Sequence, residues 1–295
     1  ALRTLAQTNP GARLDAATAR LVARREGIRV ILAGSIARDD DEYQLTLQAL
    51  DAAGQELTDA RETAYGKDEV LAAVSRLAGS VRRSLGDVTP ESEQIKEETF
   101  TASSLEAAGA YEQAQQLQRA ADVPGAIAAY QRVIALDPGL GRAYAGLAAV
   151  YANAGRREEA ERNYKLALQQ IDRMTEREKY RTRAGYYLFT RNTEGAIEQL
   201  TLLLKYFPGD TAGMANLAFA RFNRREFLAA LELGRKAETV YSTVITRTNV
   251  ALYAMYAGDF EGALKAAAEA FKISDRHAKA HLAAALAHLA TGQAN

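Results

Sequence analysis

The chain has 295 residues, 48% of them hydrophobic and only five of them proline, which leaves room for two domains and a sizeable core and argues against wholesale disorder. Lysine plus arginine equals aspartate plus glutamate at 37 each, a balance that argues against a dedicated nucleic-acid binder with its basic face. Cysteine is absent, so disulfides and thiolate chemistry are excluded while the redox compartment stays open. The most apolar run, Ala280 to Ala290, is about half a bilayer span and carries two histidines, so no transmembrane helix is expected. The chain opens with alanine, shows no signal sequence and ends inside a helix pair, and the expectation is a fragment of something longer.

Residues 1–86 read as a small α+β half-domain. Leu14, Ala17, Leu21 and Val22 mark a helix that stops at Gly27. The run IRVILAGSIA over 28–37 is nearly continuous in apolar residues, as expected of a strand covered on both faces. The acidic tip Asp39-Asp40-Asp41-Glu42 turns the chain, and Tyr43, Leu45, Leu47 and Ala49 then alternate with polar residues in a strand with one wet face. After a turn at Ala53-Gly54, Glu56 to Tyr65 can form a weak third strand. A helix follows with Val70, Leu71, Val74, Leu77, Ala78, Val81 and Leu85 on one side, closed by Gly86. Residues 87–104 are polar, and Thr89-Pro90-Glu91 suits a helix start, so a connecting helix is expected there. Ser103 with Glu106 reads as a capping box for the next helix.

Residues 105–295 repeat. Within Gly141–Arg173, Tyr144, Leu147, Ala148 and Tyr151 share one helix face, a turn follows at Asn153-Ala154-Gly155, and Ala160, Tyr164, Ala167 and Leu168 share the face of a second helix. The small residues Ala148 and Ala160 let the two helices approach closely. The same spacing lands on Ala110, Gln113, Ala114, Leu117, Ala121, Ala126, Tyr130 and Val133 upstream. Downstream it lands on Tyr180, Arg183, Ala184, Tyr187, Arg191, Ala196, Leu200 and Leu203, then on Met214, Leu217, Ala218, Arg221, Arg225, Ala230, Gly234 and Ala237. A fifth copy takes Arg247, Val250, Ala251, Ala254, Gly258, Ala263, Ala267 and Ala270, and a sixth begins with His281, Ala284, Ala285, His288 and Gly292. Arginine at 221 and 247 fits poorly where bulky apolar residues are usual, which marks the fourth and fifth units as the loosest.

A period of about 34 residues with this pattern resembles the tetratricopeptide repeat (TPR). The resemblance implies a mostly α fold: a right-handed TPR superhelix of five helix pairs plus a partial sixth over 105–295, preceded by the α+β half-domain. The run REGIRVILAGSIARDDDEYQLTLQALDAAGQEL is similar to the TolB-like segment that precedes TPR arrays in some bacterial proteins, among them membrane-anchored serine/threonine kinases and winged-helix regulators. The repeats TASSLEAAGAYEQAQQLQRAADVPGAIAAYQRVIALDP and MTEREKYRTRAGYYLFTRNTEGAIEQLTLLLKYFPGD are similar to repeats of the same proteins. In that family a further strand and helix precede the segment with which this chain begins. The resemblance implies the non-catalytic, C-terminal part of a bacterial signalling protein, on the cytoplasmic or extracytoplasmic side of a membrane anchor.

Kinase chemistry is not carried by these residues. Arg38-Asp39 follows alanine, Gln44 stands where a catalytic-loop asparagine is needed, and Asp259-Phe260-Glu261 lacks the glycine of a metal-binding motif. Gly66-Lys67 lacks the upstream glycine and following hydroxyl of a phosphate loop. His277 and His281 sit one helical turn apart but have no further ligand, so packing is favoured over metal for them and for His288. The contiguous acidic tip lacks the alternating ligands of a calcium loop. The tyrosines at 144, 151, 164, 180, 186 and 187 belong to the repeat core. No cofactor is expected.

What remains is a surface. In stacked TPR pairs the first helices line the concave side. Asn216 and Asn249 lie two residues beyond the inward anchors Met214 and Arg247, and an amide there offers both donor and acceptor to an extended peptide. Arg181, one residue beyond Tyr180, and Arg142 could grip a carboxylate. The expectation is therefore a non-enzymatic scaffold or sensor module that binds protein or peptide through Asn216, Asn249, Arg181 and Arg142. The rival is an enzyme with its site around Ser35 and Asp39–Glu42, which no base or oxyanion arrangement supports.

Overall fold

The computed structural model of the chain describes residues 19–20, 23, 28–87, 101–240 and 242–292. The expected helix around Leu14 to Val22 and the Thr89-Pro90-Glu91 start lie largely or wholly outside them. The molecule divides into two compact units, residues 1–140 and 141–295.

Among its described residues the first unit holds three antiparallel strands in the order β1 (Val30–Asp39), β2 (Glu42–Asp51) and β3 (Glu56–Tyr65), followed by α1 (Lys67–Ser84), α2 (Leu105–Arg119) and α3 (Val123–Leu136). The acidic tip makes the first hairpin, with Asp40 at φ 48, a left-handed conformation that Asp adopts more readily than bulkier residues. In the second hairpin the Asp51 carboxylate accepts the N–H groups of Ala53 and Gln55 at 2.8 Å each, while Gly54 takes φ 94. Alternation in β2 puts Tyr43 and Leu45 on the face that α1 covers, where they meet Val70, Ala73 and Leu77 and Ala64 of β3. Gly86 closes the α1 region at φ 95.

Two expectations are corrected in this unit. Among the described residues β1 is an edge strand: α1 packs on β2 and β3, and Leu32 and Ile36 are 58% and 54% exposed. Its apolar run therefore does not report coverage on both faces. The helix cap at α2 is Ser104, whose hydroxyl accepts from the Ala107 N–H at 3.1 Å, and not Ser103. The Ser103 N–H donates to the buried carboxylate of Asp137 at 2.7 Å, and Glu106 pairs with Lys67 at 2.9 Å, so neither is free to form the box.

The second unit runs α4 (Gly141–Asn153), α5 (Arg157–Gln169), a short 3-10 turn at Ile171–Arg173, α6 (Glu176–Phe189), α7 (Thr193–Tyr206), α8 (Thr211–Asn223), α9 (Phe227–Val240), α10 (Val244–Tyr256), α11 (Phe260–Phe271) and α12 (Ala278–Ala290). These are antiparallel helix pairs and a last single helix among the described residues, packed as a TPR-like array. Each pair closes on alanines with no exposed surface: Ala148 with Ala160, Ala184 with Ala196, Ala218 with Ala230 and Ala251 with Ala263, as Ala114 and Ala126 are in the α2–α3 pair of the first unit. With no side chain beyond Cβ, they bring the backbones close. The turn within each pair is also one structure. Gly155, Gly258 and the last-helix Gly292 take positive φ, and so do Ala121, Arg191 and Arg225 at the equivalent places, at φ 60, 60 and 63. In three of the pairs the helix after the turn is then capped by a side chain: Asp122, Asn192 and Asp259 accept from the N–H of Gly125, Gly195 and Gly262, whereas α5 has no side-chain cap.

The fourth and fifth units are not loose. They share a core of Leu231, Val250, Tyr253 and alanines of α8 to α12, with Phe222, Phe227 and Tyr256 clustered at ring separations of 5.2–5.5 Å and Phe222 5.0 Å from Tyr253. Arg221 lies along the turn and pairs with Glu226, and Arg247 reaches the Glu269 carbonyl at 3.0 Å, so their charges stay at the rim while the stems pack. In α12 the buried residues are Ala280, Ala283 and Ala287, whereas Ala285, equivalent to Ala251, is exposed. The helix buries the side toward the α10–α11 pair, and no second helix follows it among the described residues. His281 and His288 are likewise exposed; the His281 ring lies 4.5 Å from that of Phe271.

Candidate protein-binding face

The four surface residues singled out in the sequence all lie on first helices of the second unit, but their surroundings differ. Arg181 of α6 is turned onto Asp210, the N-cap of α8. Its Nε donates to Oδ2 and an Nη to Oδ1, both at 2.7 Å, in the parallel fork that guanidinium and carboxylate favour. Arg177, one turn earlier, adds a third bond at 2.8 Å, and the Gly213 N–H adds a fourth at 2.7 Å. The Asp210 side chain is 0% exposed and Arg181 28%. Burial pushes the Asp210 carboxyl up, but the Arg181 bond and charge, the Gly213 N–H and Arg177 outweigh it and hold the group below its ordinary range. A ligand carboxylate would have to share Arg181 with this buried partner.

Arg142 of α4 is half-buried and donates to the Thr182 hydroxyl at 3.3 Å. It lies near Tyr164, whose phenol burial pushes up to about 12 while the Arg142 charge pulls the other way. Asn216 of α8 is exposed and Asn249 of α10 half-buried; neither amide bonds another described residue. They occupy equivalent places, two residues before the buried Ala218 and Ala251.

Around these amides the sequence reading missed an apolar strip. On α8, Phe219 lies one turn beyond Asn216. On α10, Ile245 and Leu252 flank Asn249 by one turn on either side, and on α12, Leu282 and Leu289 follow at the same spacing. Phe219 is 36%, Ile245 53%, Leu282 48% and Leu289 63% exposed. α10 packs against both α8 and α12, which sets these side chains on neighbouring helices. The signal was present as three- and four-residue spacing offset from the buried alanines.

The Ser35 hydroxyl bonds that of Thr46 at 2.7 Å on the open strand β1, and among the described residues no three His, Asp or Glu side chains cluster as a metal site. No described helix is long and apolar enough to cross a membrane.

The sequence matches no family model and no curated protein. Among solved structures it is similar to the APC/C hetero-tetramer Cut9–Hcn1, with 16% identity over 76% of this chain and 47% of that one and a TM-score of 0.49. The chain thus spans about half the length of that match. It is also similar to a thermophilic TPR protein of Thermus thermophilus, at 17% identity, 62% and 99% coverage and a TM-score of 0.47. A further likeness is to YrrB, a TPR protein with an unusual peptide-binding site, at 19% identity, 58% and 87% coverage and a TM-score of 0.34.

Proposed function

We propose that this chain is a non-catalytic protein–protein interaction module, and that it holds an extended, partly apolar segment of a partner across α8, α10 and α12. The observation that supports this is the strip of Phe219, Ile245, Leu252, Leu282 and Leu289, with two unbonded amides set among these side chains. Exposed apolar side chains gathered on neighbouring elements are what a recognition surface needs, and isolated ones are not. Asn216 and Asn249 supply donors and acceptors to the backbone of an extended ligand. Arg181 reaches the start of α8 through Asp210, and with its guanidinium so committed it steers the ligand less by charge than a free arginine would; Arg142 lies two helix pairs earlier, on α4.

The larger setting we propose is a bacterial signalling protein, such as a membrane-anchored serine/threonine kinase, in which this part presents the partner-binding surface. The strand and repeat sequences that resemble that family support it. The test captures partners on the immobilised chain, identifies them by mass spectrometry, and then measures affinity for wild type, Phe219→Asp with Leu282→Asp, Asn216→Ala with Asn249→Ala, and Arg181→Ala. The paired aspartates should weaken binding at least tenfold and each lost amide contact by about 0.5–1.5 kcal/mol. Equal affinity for all folded variants places the partner elsewhere.

A further inference from the structure

We propose that β1 pairs with β1 of a second copy of this chain, antiparallel about Gly34, joining two three-stranded sheets into one. The outer edge of β1 has no neighbouring strand among the described residues. From Val30 to Ala37 it carries no charge, no proline and no bulge against β2, three devices that normally keep edges from pairing. Leu32 and Ile36 are more than half exposed on the face that α1 covers elsewhere, since their β2 neighbours are Ala49 and Leu45.

The sequence of the edge is complementary to itself in one register. With Gly34 opposite Gly34, Leu32 of each copy stands opposite Ile36 of the other, on the same face as the core. Directly opposed side chains share a face in an antiparallel pair, so the two α1 helices flank a shared cluster of two leucines and two isoleucines. The same register sets Arg29 opposite Asp39, twice by symmetry. Both are exposed, and neither has an ion-pair partner among the described residues. Sliding the pairing by two residues in either direction separates the apolar pair and takes Arg29 off Asp39. Sliding it by one sets the core face of one copy against the opposite face of the other. Gly34 at the centre keeps the crossing free of side-chain bulk on the core face. The contact is isologous and closes at two copies.

The experiment is sedimentation velocity on the full chain over a concentration series, with circular dichroism confirming equal helicity of every variant. Wild type should form a dimer that Ile36→Lys abolishes. Arg29→Glu and Asp39→Arg should each weaken it at least tenfold, because each sets like charges against each other in the homodimer. An equimolar mixture of those two variants should recover wild-type association. In the mixed pair the introduced glutamate faces the introduced arginine, and the native Asp39 of one copy faces the native Arg29 of the other. A wild type that stays monomeric overturns the proposal. So does a dimer indifferent to Ile36→Lys, or a mixture that associates no better than its components.

Discussion

Replacing Asp210 with alanine should destabilise residues 141–295 by about 2–4 kcal/mol. The carboxylate has no exposed surface and accepts four hydrogen bonds, three of them from arginines and one from the Gly213 N–H. Loss of an N-cap alone costs about 1 kcal/mol, and each bond to a charged group about 1.5–3 kcal/mol. The arginine part is discounted because Arg177 and Arg181 are 45% and 28% exposed and recover water once released. At about 2–4 °C per kcal/mol, the melting midpoint of this unit should fall by roughly 4–16 °C. The effect depends on pH in a defined direction. The folded carboxyl is held below its ordinary value, so its contribution is fully present above the unfolded pKa, about 3.9, and is lost as pH falls through the folded value. The gap between wild type and Asp210→Ala should therefore be flat from about pH 6 to 8 and close in acid. Arg181→Ala should cost about half as much, and the double variant should show strong non-additivity because the two groups share their bonds. An Arg181→Ala protein that melts with wild type would refute the pairing and return Arg181 to the ligand surface. A gap unchanged into strong acid would refute the ionic account of Asp210.

Two further outcomes are expected from the repeat geometry. Ala148→Leu or Ala160→Leu, at positions with no exposed surface, should lower the melting midpoint by the equivalent of about 1–3 kcal/mol; unchanged midpoints would mean those helices do not touch there. Glycine at Ala121, Arg191 or Arg225 should each stabilise by up to about 1 kcal/mol in a denaturant titration, because a left-handed conformation costs an L-residue about 1–2 kcal/mol and glycine returns part of that as unfolded-state entropy. Destabilisation by all three would show that these turns are not left-handed.

The repeat was legible in the sequence because its determinants are local. A helix pair needs small residues at one crossing point, apolar residues three and four positions away and a turn between, and Ala148, Gly155 and Ala160 record all three. The recurrence carried the reading through copies whose turn residue is Ala121, Arg191 or Arg225, which no turn propensity would select. The strands of 28–65 were legible for the same reason, with Tyr43, Leu45 and Ala49 alternating as β2 requires. Coverage was not legible. Val30 to Ala37 reads like a buried strand, but whether α1 reaches over β1 depends on where a helix of its length comes to rest on three strands. The fate of charge was not legible either. Asp210 and Arg181 are 29 positions apart, and Arg181 reads as a surface cation until α6 and α8 bring them within hydrogen-bonding distance. Local pattern decides which elements form because each residue answers to its near neighbours in the chain. Which face meets water and which charge is already spoken for is decided by packing between distant segments, and only the assembled helices and strands settle that.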